Sequence, residues 1–461
     1  MLLDTPSSLP TDEIYNRNFI DGQWVFPGAP YEYEIRNPVD STITAVVPLS
    51  SRNDVGRAIA AAHRSQDGLW ADTDRRNQLL TKLLIRLAEL APDLSRLQSM
   101  ETGLAQADSA ATIDAALRLA RTILTRAVID KHPLHPGVSG HVLSWGLPFT
   151  EMLANVFGAW TQGKSVVVKP SLRGPLSPVV VALAASHVGF PPGVLNVVQG
   201  TGVDVGAALI SSSTLARLHV HGNDNTLSRG RRATPRTHVP LSTLSAGGNA
   251  AIVYPDIAPD RVARLAGDIA AAVRMNSAGG PFGLPIIALH STVASQVLEA
   301  IVGEATSVLP APLPTEPLRR RAMGRLDVLR AGGARVLAGA TIPDDVEHRM
   351  GWRIPATVLD LGNAERAAPL LRAAAEPLGP ILTVVSWDSH QDLDLLFAAQ
   401  RHLDGYASTW GDSVGDERIR FGVVTGEQSP LDAAFSGLLP SAWIGDTSDP
   451  HEPLTNIRKC P

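Results

Sequence analysis

Apolar positions along this chain follow two rhythms, one of helical period and one of short unbroken runs. Asn18-Phe19-Ile20-Asp21-Gly22-Gln23-Trp24 opens the ordered part, and a β-rich stretch runs from Thr42 to Pro48. Val55, Ile59 and Ala62 then recur at helical spacing behind Arg52-Asn53-Asp54, with Asn53 as the expected N-cap. After a break at Trp70, Leu79, Leu80, Leu83, Leu84, Leu87 and Leu90 line one face of a second predicted helix, which ends at Met100-Glu101-Thr102-Gly103. Leu117 to Val128 reads as further helix, and the Pro/Gly-rich His132 to Ser139 as a hairpin region.

From Gly140 onward short apolar runs alternate with helical stretches, the pattern of a parallel sheet with crossover helices. Val142-Leu143, Ser165 to Val168, Gly193 to Val198, Leu218 to His221 and Ala250 to Val253 are the expected strands of this part. A helix from Arg261 to Met275, with Val262, Leu265, Ile269 and Val273 on one face, delivers the chain to a loop around Pro281. The second half repeats the alternation in Arg335 to Leu337, Ala356 to Leu359 and Ile381 to Val385, followed by a helix through Leu393 to Ala399. Leu454 to Lys459 reads as a final edge strand.

With 461 residues, 44% of them hydrophobic, the chain is long enough for a large core and more than one domain. A net charge of −5 leaves no basic footprint for nucleic acid. No apolar run approaches the ~20 residues that a membrane helix needs. Met1 to Thr11 lacks the basic and apolar regions of a signal peptide. The one cysteine, Cys460, permits no internal disulfide and no cysteine-based metal cluster. These features together predict a soluble, cytoplasmic protein.

Several stretches carry candidate chemistry. Ser144-Trp145-Gly146-Leu147-Pro148 is by itself a strand-end turn with a buried Trp. Lys169, after the strand Ser165 to Val168, is by itself a solvated surface lysine. Gly200-Thr201-Gly202 opens a Gly-rich strand-to-helix turn whose spacing differs from the dinucleotide fingerprint. His221 stands at the C-terminal end of a strand, where open α/β sheets bind ligands, and reads either as a satisfied core histidine or as a proton carrier near neutral pH. His219, two residues earlier on the same strand face, is positioned for its ring to stack with that of His221. Arg229, Arg231 and Arg232 form a basic helix face, for solvent or for a cofactor phosphate.

Taken in order and spacing, these stretches resemble the aldehyde dehydrogenase superfamily from about Asn18 to Lys459. Asn18 to Trp24 and Asn37-Pro38 resemble the family's opening, and Ser144 to Pro148 its "P-W-N-F-P" loop. Val168-Lys169-Pro170-Ser171 resembles "L-K-P-S-E", with Leu172 in place of the acid. His221-Gly222-Asn223-Asp224 aligns with "T-G-S-T", Leu244 to Asn249 with "L-E-L-G-G-K", and Glu376 to Pro380 with "E-x-F-G-P". Asn276 to Pro281 aligns with the nucleophile loop "N-x-G-Q-x-C".

The resemblance implies an α/β fold with two parallel-sheet domains and a small bridging β element that joins subunits. The nucleotide-binding, Rossmann-like domain is expected over 1–115 and 141–246, the catalytic-type domain over 247–435, and the oligomerisation element over 116–140 and 436–461. It implies NAD or NADP at Trp145, Lys169, Gly202, Gly222, Asn223 and Glu376, with binding weak or absent where contacts are lost. It implies a homodimer or tetramer.

The resemblance also places departures at every reacting position. The nucleophile falls on Pro281, the general base on Ser245 and the oxyanion amide on Gly146. Covalent thiohemiacetal chemistry needs a thiolate, and the only thiol is Cys460. Three functions stay open: a binding or scaffolding subunit that has lost aldehyde oxidation, with a possible protein partner; an enzyme with noncovalent hydride-transfer or acid/base chemistry using His221 and Ser245; and an ordinary aldehyde oxidation rescued by another group.

Overall fold

The computed structural model of the chain describes residues 14–130, 134–245, 249–276, 283–374, 377–398, 406–411 and 423–426. They divide into two compact units. Unit 1 holds residues up to 37 and 42–243, and unit 2 holds 38–41 and 244–426 among those described.

Unit 1 opens with β1 (Asn18–Ile20) and β2 (Gln23–Val25), then a two-stranded ribbon of β3 (Glu32–Arg36) and β4 (Ile43–Pro48). Helices α1 (Arg52–Arg64), α2 (Thr73–Glu89), α3 (Ala91–Thr102) and α4 (Gln106–Ile129) follow. Alternation then sets in: β5 (Val138–Val142), α5 (Pro148–Thr161), β6 (Ser165–Lys169), α6 (Leu176–His187), β7 (Leu195–Val197), α7 (Ala207–Ile210), β8 (Arg217–Gly222), α8 (Asp224–Thr237) and β9 (Leu241–Ser245).

The strands form one sheet in the order β2-β1-β7-β6-β5-β8-β9. β7, β6, β5 and β8 are mutually parallel, while β1 runs antiparallel to β7. β5 and β6 are buried along their whole length, as helices on both faces of a parallel sheet require. From β5 the chain winds through β6 to β7 and then returns to β5's other side for β8 and β9. The winding therefore reverses between β5 and β8, and the crevice at their C-terminal ends is where such sheets take ligands.

Unit 2 contains β10 (Ala250–Val253), α9 (Pro259–Asn276), β11 (Ile286–His290), α10 (Ala294–Ser307), α11 (Glu316–Ala331), β12 (Arg335–Ala338), α12 (Val346–Met350), β13 (Thr357–Asn363), α13 (Ala364–Ala373), β14 (Ile381–Trp387), α14 (His390–Ala398), β15 (Tyr406–Trp410) and β16 (Val423–Gly426). Its sheet runs β12-β13-β14-β11-β10-β15-β16, parallel except for β12. Val262, Leu265, Ile269 and Val273 of α9 are buried against β10, β11 and β14, as the apolar spacing predicts.

Four local expectations are corrected. The N-cap of α1 is Ser51, not Asn53, because the buried Asp54 carboxylate reaches back to accept the Ser51 N–H at 2.9 Å. The expected second helix is two: Leu79 to Leu87 lie in α2, and Leu90 caps its end and begins α3, with Pro92 in the first turn of α3. The helix read from Leu117 starts earlier, at Gln106. Residues 134–137 form no hairpin, and Val138 to Val142 are a central strand of the first sheet. The expected edge strand Leu454 to Lys459 lies outside the described residues.

Candidate functional site

The switch-point crevice of unit 1 gathers most of the residues singled out from the sequence. Ser144, Trp145 and Gly146 follow β5, Gly222 ends β8, Asn223 caps α8, and Lys169 ends β6 beside β5. Gly202 stands in the exposed turn after β7, where Thr201 accepts the Asp204 N–H at 2.9 Å. Pro281 and Glu376 lie outside the described residues, and of Ser245 only the backbone, at the end of β9, is described.

Lys169 is not the solvated lysine that its position alone suggests. It is buried. Burial, with Arg173 adding like charge, lowers its pKa to about 8. Trp145 is half-buried, and a Cβ added at Gly146 would meet no described residue within 4 Å.

The N-terminus of α8 is already furnished. The Asn223 side chain accepts the Thr226 N–H at 3.0 Å and the Thr226 hydroxyl at 3.0 Å, so it satisfies a donor that a phosphate would otherwise use. Asp224, in the first turn, places a carboxylate at the same end.

His221 does not line an open cavity. Its ring is buried, with Nδ1 3.8 Å from Glu151 Oε2, and burial drives its pKa down to about 3. Its expected stacking with His219 is also absent. His219 lies instead against His141 of β5, ring centroids 4.7 Å apart and planes within 7°. The register explains this, since His141 and His219 are paired neighbours across β5 and β8.

Two acids escaped the sequence reading. Glu151 sits in α5, a helix with every residue buried, and accepts the Ser144 N–H at 2.8 Å and the Ser144 hydroxyl. Burial outweighs those bonds and raises its pKa to about 7. Glu101 of α3 accepts the Leu176 and Ser177 N–H groups at the start of α6, and the Ser177 hydroxyl. A lone acid in a helix that is apolar all round was the available signal for Glu151, since such a helix is buried on every side. Glu101 offered none beyond its place in the Glu-Thr-Gly stretch. Among the described residues no cluster of three histidine, cysteine or acidic side chains is arranged to hold a metal.

Comparison with known proteins agrees with this architecture. The sequence profile of the aldehyde dehydrogenase family matches residues 24–399. The chain is 27% identical over 414 residues to 2-aminomuconic 6-semialdehyde dehydrogenase of Pseudomonas sp., covering 82% of each. It is 27% identical over 406 residues to 3,6-anhydro-alpha-L-galactose dehydrogenase of Streptomyces coelicolor, covering 81% of this chain and 80% of that one. Among solved structures, PnpE from Pseudomonas sp. WBC-3, also solved with nicotinamide adenine dinucleotide, superposes with a TM-score of 0.80 at 24% identity, covering 90% of both chains. Lactaldehyde dehydrogenase of Escherichia coli gives 0.79 at 20% identity, covering 90% of this chain and 91% of that one. With the doubly wound sheet of unit 1, its strand-end residues and a family match spanning most of its length, the chain belongs to the aldehyde dehydrogenase family.

Proposed function

We propose that this chain is an aldehyde dehydrogenase-family protein that has lost cysteine-dependent oxidation of aldehydes and serves as a nucleotide-pocket-bearing partner or scaffold subunit in a cytoplasmic homo-oligomer. One observation carries the reading: the only thiol in 461 residues is Cys460, while the family's nucleophile position aligns with Pro281. The reaction begins with thiolate attack on the aldehyde carbon and needs a sulfur beside the nicotinamide. Proline in that place also lacks the backbone N–H that would help hold the oxyanion. Ser245 at the base position and Gly146 at the amide position remove the two groups that act with the nucleophile.

The inherited pocket takes NAD or NADP weakly. Lys169, buried at the end of β6, supports retention of nucleotide affinity. The Asn223 cap and Asp224 at the α8 N-terminus, with Leu172 in place of an acid, support its weakness. Relatives in the family are named as active dehydrogenases, so the decisive assay is turnover. Purified protein mixed with NAD or NADP and a panel of aliphatic, aromatic and amino-substituted aldehydes should give no reduced nicotinamide above background. Steady turnover that depends on protein concentration would overturn the reading.

A further inference from the structure

Strand alternation in unit 1 divides the central sheet into two unlike faces. Val138 and Val142 of β5 and Leu218 and Val220 of β8 point into an apolar core with α1 and α7. Ser139, His141, His219 and His221 therefore point to the other face, toward Glu151 of α5. All four are buried, and neither the Ser139 hydroxyl nor any of the six imidazole nitrogens has a hydrogen-bond partner among the described residues. Buried polar groups are ordinarily paired, and a row of orphaned imidazoles between sheet and helix is a costly arrangement to keep.

The charges facing this row are few and unequal. Lys164, in the turn before β6, acts on His141 and His219, and Arg217, at the start of β8, acts on His219. Both are cations and oppose any further proton. Glu151 is an acid that faces the row, with a carboxyl oxygen 3.8 Å from His221 Nδ1. Glu151 and His221 are thus buried neighbours that share no hydrogen bond, since both carboxyl oxygens of Glu151 accept from Ser144. A proton added to any of the three rings leaves a buried imidazolium with both N–H groups unmet among the described residues.

The pair also lies where it matters. His221 directly precedes Gly222 and the Asn223 cap, and Glu151 holds Ser144, which directly precedes Trp145 and Gly146. Each strand end of the switch-point crevice therefore adjoins a buried titratable group, His221 at β8 and Glu151 through Ser144 at β5.

We propose that this histidine–glutamate row is a proton-sensitive device built into the nucleotide edge, so that proton uptake loosens the ends of β5 and β8 together and weakens nucleotide binding in acid. The nucleotide part rests on the function proposed above, and the stability part does not. The sign follows from linkage. Burial holds His141, His219 and His221 below the ordinary imidazole value, so the unfolded chain binds more protons there, and their share of stability is lost as pH falls below about 6.5. Glu151 and Glu101 are raised to about 7 and work oppositely, since their share is fully present below about 4.5 and lost as pH rises through 7. The two sets oppose each other, and single substitutions separate them.

The test is urea unfolding of the full chain at pH 5.0 and 7.5, comparing wild type with His141→Leu/His219→Leu, with His219→Phe, which keeps a ring in the stack, and with Glu151→Gln. Relative to wild type, the double variant should gain up to ~1000-fold in apparent folding equilibrium on going to pH 5, and His219→Phe up to ~30-fold. Glu151→Gln should lose by up to about tenfold per pH unit over the same range. Histidine variants that track wild type at both pH values, or histidine and glutamate variants that shift in the same direction, would overturn the proposal. NAD and NADP affinities are then measured by calorimetry at both pH values. Weakening in acid that His219→Phe relieves is the expected result, and affinity equal at both pH values removes the link to the nucleotide edge. No nucleotide binding at any pH refutes the nucleotide reading and its link, leaving the unfolding result to judge the proton-sensitive row by itself.

Discussion

Glu101 accepts the Leu176 N–H at 2.8 Å, so an acid from the end of α3 caps the start of α6, 75 residues away in sequence. The same carboxyl takes the Ser177 N–H at 3.1 Å, which gives two of the helix's orphan donors a single acceptor. The Lys169–Pro175 loop is thereby held at both ends, by β6 and by this cap.

Glu101→Ala should cost about 1–3 kcal/mol of stability, because two buried N–H groups lose their acceptor. Glu101→Gln, which keeps an acceptor oxygen, should cost less. Thermal or urea unfolding of the two variants at pH 6 checks the order, and an Ala variant as stable as wild type would show that the cap carries no weight.

Restoring a thiol should not by itself restore aldehyde oxidation. Pro281→Cys alone is expected to stay at the assay floor, because groups that act as a unit are lost as a unit. Pro281→Cys with Gly146→Asn and Ser245→Glu should exceed it, since a Cβ at Gly146 meets no described residue within 4 Å. Nicotinamide reduction followed at 340 nm (~20-min traces suffice for the slow rates expected) separates the two, and full activity in the single variant would contradict the expectation.

Nucleotide binding should depend on Lys169 and on pH. Dissociation constants no better than high micromolar are expected, with little preference between NAD and NADP because Leu172 cannot repel a 2′-phosphate. Lys169→Met should weaken binding about tenfold, the loss of one charge-assisted contact. Burial lowers the Lys169 pKa to about 8, so its charge, and with it nucleotide affinity, should decline from pH 7 to pH 9. Stability has the opposite sign: the unfolded lysine binds more protons between about 8 and 10.5, so the penalty for burying Lys169 shrinks as pH rises through that window. Calorimetry at three pH values decides the binding claim, and affinity that holds constant to pH 9 would count against Lys169 as the anion's partner.

Self-association should run through the far end of α4. Val128, Ile129 and Leu134 are exposed there, Ile129 at 70%. A dimer or larger species is expected by light scattering at micromolar concentration. Ile129→Glu should shift it toward monomer with little change in melting temperature, because the side chain has no core contact to lose. A wild-type chain that runs as a monomer would refute this.

The sequence by itself determined the family, through the order and spacing of its motifs, and the doubly wound alternation. Apolar periodicity reports the alternation directly: Ile286 to Leu289 and Ile381 to Val385 are strands because unbroken apolar runs are buried on both faces. Element ends were less legible. Asn53 and Ser51 both suit an N-cap, and only the three-dimensional reach of Asp54 chooses between them. What the tertiary structure alone decided was pairing across the sheet. Lys169 read as a surface lysine by position and as a pocket residue by resemblance, and His221 as a core histidine or a proton carrier; burial of both, with Glu151 of α5 near His221, decided between them. His219 met His141 rather than its neighbour in sequence because register, set by β5 lying beside β8, places residues 78 positions apart at ring-stacking distance. Local sequence carries burial pattern and turn chemistry, whereas which buried polar groups face one another is a property of the sheet order, and no stretch of the chain contains it.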